Sequence, residues 1–254
     1  MRLLSAALTA VVVVLAALLP AAAKDWKTLR IGIEGAHPPF NYFDALGELR
    51  GFDVDIARVI CAKLKAECTF IVRDWPEIID GLTTGAYDAI VSSLAITEER
   101  RKRIAFSKRY YRTTSVFVLA KASPVTLFSR SALDHRIVGA QEGTIHQSYL
   151  EETYWSTIIR PYPTEEEAFL DLAAGRIDAI FVDKLAATYW LAKHDDGRCC
   201  KIAGAELTIS QGIGVGLRQE DEDLKQKIDE AIDAMRADGI YRTINAKYFP
   251  FSID

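Results

Sequence analysis

The chain has 254 residues, enough for one large domain or two small ones. Its 31 basic and 35 acidic residues leave a net charge of −4, and a mildly acidic chain without a basic face argues against nucleic acid as a partner. The four histidines are scattered and none stands at a ligand spacing from the four cysteines, which argues against zinc and leaves no cofactor motif.

Met1-Arg2 is a short positive start, and the run from Leu3 to Leu19 is apolar apart from Ser5 and Thr9. Pro20 breaks that run, and Ala21-Ala22-Ala23 fits a small-residue cleavage rule. Residues 1–23 therefore read as a signal peptide cut before Lys24. An uncleaved anchor would need about 20 apolar residues, and the run is shorter. No Cys follows it to carry a lipid and no later segment could span a membrane, so a secreted, soluble mature chain is expected.

A strand is expected at 29–34, then the loop Gly35-Ala36-His37-Pro38-Pro39-Phe40 and a hairpin over 41–50 with Gly47 at its turn. Residues 52–65 read as a helix, because Ile56, Val59, Ile60 and Leu64 share one face while Asp53 and Asp55 complement the N-terminal dipole. A strand at 69–73, the loop Asp74-Trp75-Pro76 and a helix at 77–84 follow. Cys61 and Cys68, seven apart across a helix end and a strand start, suit a local disulfide in an exported protein, contributing about 2–3 kcal/mol. Residues 97–103 open a helical turn with half a capping box, since Arg100 cannot complete it. Then come a β-branched run at 113–120, a strand at 136–140, the loop Gln141-Glu142-Gly143-Thr144, a helix at 145–152, a strand at 157–160 and a helix at 164–174. Cys199-Cys200 leaves a vicinal bridge, two free thiols and a contact to another chain all open. Residues 207–217 read as one strand, and 221–238 as a helix with Leu224, Ile228, Ile232 and Met235 on one face and Gly239 as its stop.

Two stretches ninety residues apart read almost alike: Leu82-Thr-Thr-Gly85-Ala-Tyr-Asp88-Ala89-Ile90 and Leu172-Ala-Ala-Gly175-Arg-Ile-Asp178-Ala179-Ile180. Each is a helix end stopped by Gly, then a buried strand opening on Asp-Ala-Ile. Strands alternating with helices mean an α/β fold with largely parallel sheets. The repeat implies two similar lobes facing each other across a cleft, with 114–206 inserted between 24–113 and 207–254 and hinge crossings near 111–116 and 204–210.

The chemistry-bearing residues gather at expected strand ends. Arg100 sits in the charged run Glu98-Glu99-Arg100-Arg101-Lys102-Arg103, whose other members read as solvated. Its position just past the strand end Ser92-Ser93 would let a planar guanidinium hold a carboxylate bidentately. Asp183 ends the second repeat strand, where it reads either as a helix N-cap or as a ligand contact at the carboxyl end of a strand. Glu34, His37, Phe40 and Trp75 read either as aromatic core with a solvated acid or as a slot for an aliphatic or cationic chain. Gly212-x-Gly214-x-Gly216 suits strand packing better than a dinucleotide loop, because Glu220, Asp221, Glu222 and Asp223 follow and would repel a pyrophosphate.

With these motifs the chain resembles the periplasmic solute-binding proteins of polar amino-acid ABC transporters, nearest the lysine/arginine/ornithine- and histidine-binding branch. The resemblance spans 24–254 and rests on Gly51-Phe-Asp-Val-Asp-Ile, the Cys61/Cys68 pair, Asp88-Ala-Ile-Val-Ser92-Ser93-Leu-Ala-Ile-Thr97-Glu-Glu-Arg100, Ile104-Ala-Phe106-Ser, Gln141-Glu-Gly143-Thr144, Gly175-Arg-Ile-Asp178-Ala, Met235-Arg-Ala-Asp-Gly239 and Lys247-Tyr-Phe249. It implies a two-lobed type II binding-protein fold, a monomer delivering its ligand to an inner-membrane ABC permease from the periplasm, and no catalysis.

By position it implies that Arg100 and Ser93 hold an α-carboxylate with backbone N–H groups around Thr144 and Ile145, and that Asp183 pairs with the α-ammonium. Ser92, Gln141 and His146 would line the pocket, Glu34 would meet a distal cation, and His37 and Trp75 would sandwich an alkyl chain. Four departures bear on the ligand. Ala95 and Ile145 replace hydroxyl residues, His37 stands where Tyr is usual, and Glu34 is one methylene longer than the Asp of near relatives. Each lost charge-assisted hydrogen bond is worth roughly 1.5–3 kcal/mol. A basic amino acid is the expected ligand; an opine or other guanidino compound, and a cyclohexadienyl-dehydratase-like enzyme on the same scaffold, are the alternatives.

Overall fold

A computed structural model describes residues 24–126 and 128–254. The expected signal segment 1–23 lies outside them. The chain runs β1 (Thr28–Ile33), β2 (Ala36–His37), β3 (Asn41–Phe43), β4 (Leu49–Arg50), α1 (Phe52–Leu64), β5 (Glu67–Val72), a 3-10 turn (Trp75–Glu77), α2 (Ile78–Thr83), β6 (Ala89–Ile90), α3 (Glu98–Arg101) and β7 (Ala105–Tyr111). It continues with β8 (Ser115–Ala120), β9 (Ile137–Gln141), α4 (Ile145–Thr153), β10 (Ile158–Tyr162), α5 (Glu165–Ala173), β11 (Ala179–Asp183), α6 (Lys184–Lys193) and β12 (Cys200–Leu207). β13 (Ile213–Leu217), α7 (Glu222–Ala237) and α8 (Ile240–Tyr248) complete it.

Two five-stranded sheets share one plan. Their orders are β5-β1-β6-β13-β7 and β10-β9-β11-β8-β12. In each, three parallel strands lie in the order second, first, third, and an antiparallel fourth strand is supplied from across the hinge. The crossings run from β7 to β8 and from β12 to β13. The expected single strand over 207–217 is therefore corrected: 208–212 leaves one sheet and enters the other, and Gly212 (φ 105) makes the turn. Gly214 and Gly216 pack as strand glycines, since a Cβ there would come 2.9 Å from Ile96 Cδ1 or 2.7 Å from Leu94 Cδ2.

The repeated motif has one structural job performed twice. Asp88 accepts from the Arg30 backbone N–H (3.1 Å) and its guanidinium (2.7 Å). Asp178 accepts from the Ile137 N–H (2.8 Å) and the Arg136 guanidinium (3.1 Å). Each carboxylate thus pins the N-terminal half of the central parallel strand of its sheet, β1 or β9. Gly85 and Gly175 both hold left-handed backbone (φ 79 and 71), as a helix C-terminus requires.

β7, β12, α6 and α8 go beyond the sequence expectation. The apolar residues of α6 do not gather on one face: Leu185, Ala186, Ala187 and Trp190 are all buried, so no helical stripe announces it. Gly239 stops α7 as expected, and its φ of 80 also starts α8. Cys61–Cys68 closes α1 onto β5 with Cα atoms 5.7 Å apart, and Cys199–Cys200 form a vicinal bridge. Among the described residues no helix is long and apolar enough to cross a membrane.

Candidate ligand-binding site

The carboxyl ends of β1, β6, β9 and β11 converge between the two sheets. There one cavity is lined by all eleven residues selected from the sequence: Glu34, His37, Trp75, Ser92, Ser93, Arg100, Gln141, Thr144, Ile145, His146 and Asp183. Side chains leave about 50 Å³ of open volume, so an amino acid can be seated only if side chains move or the sheets part. Ala95, Tyr111, Thr113, Ser115, Glu165, Ile209, Ser210 and Ile213 complete the wall.

One end is electropositive. The Arg100 guanidinium lies 5.4 Å from the Trp75 ring centre and donates to the Ala95 carbonyl at 3.1 Å. It has no carboxylate partner among the described residues. Burial pulls its pKa down to about 10, which leaves it charged at neutral pH. Its backbone N–H is held by Thr97 Oγ1 at 3.1 Å, the expected half of a capping box. The start of α4 belongs to the same cavity. Thr144 caps it, its Oγ1 accepting from the Gln147 N–H (3.2 Å) and donating to the Gln141 carbonyl (2.7 Å). First-turn N–H groups of a helix have no intrahelical acceptor, so Ile145 and His146 bring backbone donors to this end.

The rest of the charged lining is mostly acidic. Glu34, Glu165 and Asp183 belong to it, and all three are buried. Burial pushes the Glu34 carboxyl up to about 7, against the opposing pull of His37 and of the Gln141 amide that donates to it. Burial also disfavours a charged His37, but Glu165, 2.9 Å away, outweighs it with help from Asp183 and Glu34 and lifts the imidazole to about 10. The ring stacks on Phe40 with centroids 5.2 Å apart. His146 has no such partner: burial lowers it to about 4, so it is neutral, and its Nε2 meets Ser115 Oγ at 3.0 Å.

Asp183 is the helix cap that the sequence allowed, and it stands in the cavity wall where a ligand contact is expected. Its Oδ1 caps α6, accepting from Leu185 N–H (2.7 Å) and Ala186 N–H (3.0 Å), while the residue lines the cavity. Burial raises its pKa and the nearby His37 opposes that rise. Ser92 Oγ accepts the Glu34 N–H at 3.0 Å. Ser93, in left-handed backbone (φ 51), donates its hydroxyl to Asp53 at 2.8 Å. Asp53 is fully buried and also accepts from Asn41 Nδ2 and Tyr110 OH, a platform under the site rather than only a dipole complement.

Four contacts join the lobes around the cavity. Gln141 donates to Glu34, Trp75 Nε1 donates to the Gly143 carbonyl (3.1 Å), Arg100 Nη2 approaches the same carbonyl (3.5 Å), and His37 pairs with Glu165. Glu165 was missed in the sequence because three consecutive acids after Thr164 read as the first turn of a helix. Glu165→Gln is expected to strand a buried imidazolium at a cost of about 3 kcal/mol. Because the folded-state pKa of His37 is raised from 6.5 to about 10, its stabilisation is complete below pH 6.5 and disappears as pH rises through 10. Thermal unfolding between pH 6 and 10 should show that loss in the wild type and a shallower slope in the variant; identical slopes would remove the pair from the energetics.

The family described as bacterial extracellular solute-binding proteins, family 3, matches residues 29–251. The L-arginine-binding protein of Pseudomonas aeruginosa is 35% identical over 92% of each chain. The histidine-binding periplasmic protein of Salmonella typhimurium is 36% identical over 89% of this chain and 88% of its own. A solved structure of an ancestral arginine-binding protein bound to arginine superposes with a TM-score of 0.83 at 31% identity, covering 88% of this chain and 98% of that one. This chain belongs to the bacterial extracellular solute-binding proteins, family 3.

Proposed function

We propose that this protein is the periplasmic receptor of an ABC amino-acid importer and binds a basic amino acid, arginine foremost, between its two lobes. The observation that carries the reading is the charge lining of one cavity: a guanidinium without a carboxylate partner among the described residues, a helix N-terminus, and three buried carboxylates. Arg100 with the Thr144–Ile145 backbone takes the α-carboxylate, and Asp183 takes the α-ammonium. Glu34 meets the distal cation, and Trp75 and His37 flank the chain between. Ser92, Gln141 and His146 shape the wall. With all groups ionised, Glu34, Glu165 and Asp183 against Arg100 and His37 leave one negative charge, which matches a ligand of net charge +1. Ser93 contributes through its acceptor lone pairs, because its proton is engaged by Asp53. The relatives named above are binding proteins, and in this reading no bond is made or broken. The ligand is held by residues from both lobes, so it favours the closed form and is handed as a monomeric complex to the permease.

Calorimetry with arginine, lysine, ornithine, histidine and octopine tests the assignment; no saturable binding of any of them would end it. The pH dependence follows from Glu34. A carboxyl titrating at about 7 must ionise before it can meet a cation, so arginine affinity should rise roughly tenfold per pH unit up to 7 and then level. Citrulline, the neutral isostere, and the Glu34→Gln variant with arginine should both give flat profiles over that range.

One observation favours a second reading. A carboxyl titrating at about 7 is also suited to general-acid work, as a cyclohexadienyl-dehydratase-like enzyme would need. Incubation with prephenate or arogenate and detection of an aromatic product separates enzyme from receptor.

A further inference from the structure

A wider cavity of about 550 Å³ lies at the two hinge crossings. Thr113 and Ser210 line it and the amino-acid cavity alike, so the two share a wall. Its cationic lining comes from three places: Arg109 on β7, Arg112 in the first crossing, and Lys184 at the start of α6. Their charges are not equally compensated. Lys184 is paired with Glu206, and Asp254, the acid of the lining, is paired with Arg236. Arg109 and Arg112 have no ion-pair partner among the described residues, and neither guanidinium donates a hydrogen bond to another described residue. Arg109 Nε is buried without any partner. The hinge itself holds Arg109 in place, because its Cδ lies 2.3 Å from where a Cβ on Gly212 would be and the stem crosses the bare backbone there.

Two guanidinium groups lining one cavity, both uncompensated, match the oxygen pairs of carboxylates and phosphates. We propose that this hinge cavity binds a small multivalent oxyanion, gripped by Arg109 and Arg112, at a site separate from the amino-acid cavity. The volume accommodates a molecule of tricarboxylate size, and the hydroxyls of Thr208 and Ser252 in the lining can share its remaining oxygens.

The test is calorimetric titration of the full chain, without amino acid, using citrate and separately inorganic phosphate at ionic strength matched with sodium chloride. Saturable one-to-one binding of at least one probe, with Kd below about 1 mM, is expected. Arg112→Gln and Arg109→Gln should each weaken it about tenfold, with circular-dichroism melts as the check that both variants fold. Arg112 is exposed, so its variant does not depend on a repacked core. Binding of equal strength in the double variant, or no saturable heat with either anion, overturns the proposal. Neither outcome bears on the amino-acid reading, which uses different side chains and a different ligand.

Discussion

Arg100→Ala should weaken arginine binding by about 3–5 kcal/mol, roughly two to nearly four orders of magnitude, without lowering the melting temperature of the unliganded protein. The asymmetry follows from what the guanidinium touches. Among the described residues it makes no ion pair, only a hydrogen bond to the Ala95 carbonyl, a long approach to Gly143 and the face of Trp75. Burial already disfavours its charge, as the lowered pKa records, so truncation relieves a cost in the free protein. The ligand's carboxylate would then be left without its cation, facing helix N–H groups alone. Arg100→Lys is not a mild change here, because an ammonium loses both the planar fork and the stacking on Trp75. Calorimetry paired with thermal unfolding checks both halves; unchanged affinity would remove Arg100 from the site, and a large drop in melting temperature would make it structural.

Asp183→Asn is expected to cost about 2–5 kcal/mol of ligand affinity while leaving the fold as stable as before. The amide keeps a side-chain oxygen to accept from Leu185 and Ala186 N–H, and Asn caps helices as well as Asp does. What it removes is the charge that would face the ligand's ammonium. Asp183→Ala loses the same affinity and, in addition, about 1 kcal/mol of stability from the missing cap. Wild-type affinity in the Asn variant, with destabilisation confined to the Ala variant, would mean that Asp183 is a cap and nothing else.

The site residues that could be read in advance share a property. Ser92, Gln141 and Asp183 stand at or just beyond the carboxyl ends of strands whose apolar runs mark where the strands stop, and Glu34 directly follows β1. Arg100 was placed by its distance from Ser92-Ser93. Glu165 had no such marker: Glu165, Glu166 and Glu167 are equivalent in sequence, and only packing against His37 across the cleft buries the first while Glu167 stays in water. Ser93 shows the reverse. Its place was legible, but the direction of its hydroxyl depends on Asp53, a residue forty positions earlier.

Resemblance to the family supplied Ser92, Ser93, Gln141, Thr144, Ile145 and His146 of the cavity; local pattern was enough for the α/β class, the duplicated Gly-to-Asp motif, most helices and strands, the Cys61–Cys68 staple and the strand-end places of Glu34, His37, Trp75, Arg100 and Asp183. Those features depend on neighbours a few positions apart, where helical and strand periodicity and turn chemistry act. Contacts between distant segments decided the rest. They made 208–212 a crossing rather than part of a strand, buried α6 on more than one face, gave Asp53 three donors, and selected Glu165 as the partner of His37. Such choices depend on which surfaces meet when the second sheet folds against the first, and no short-range pattern encodes that meeting.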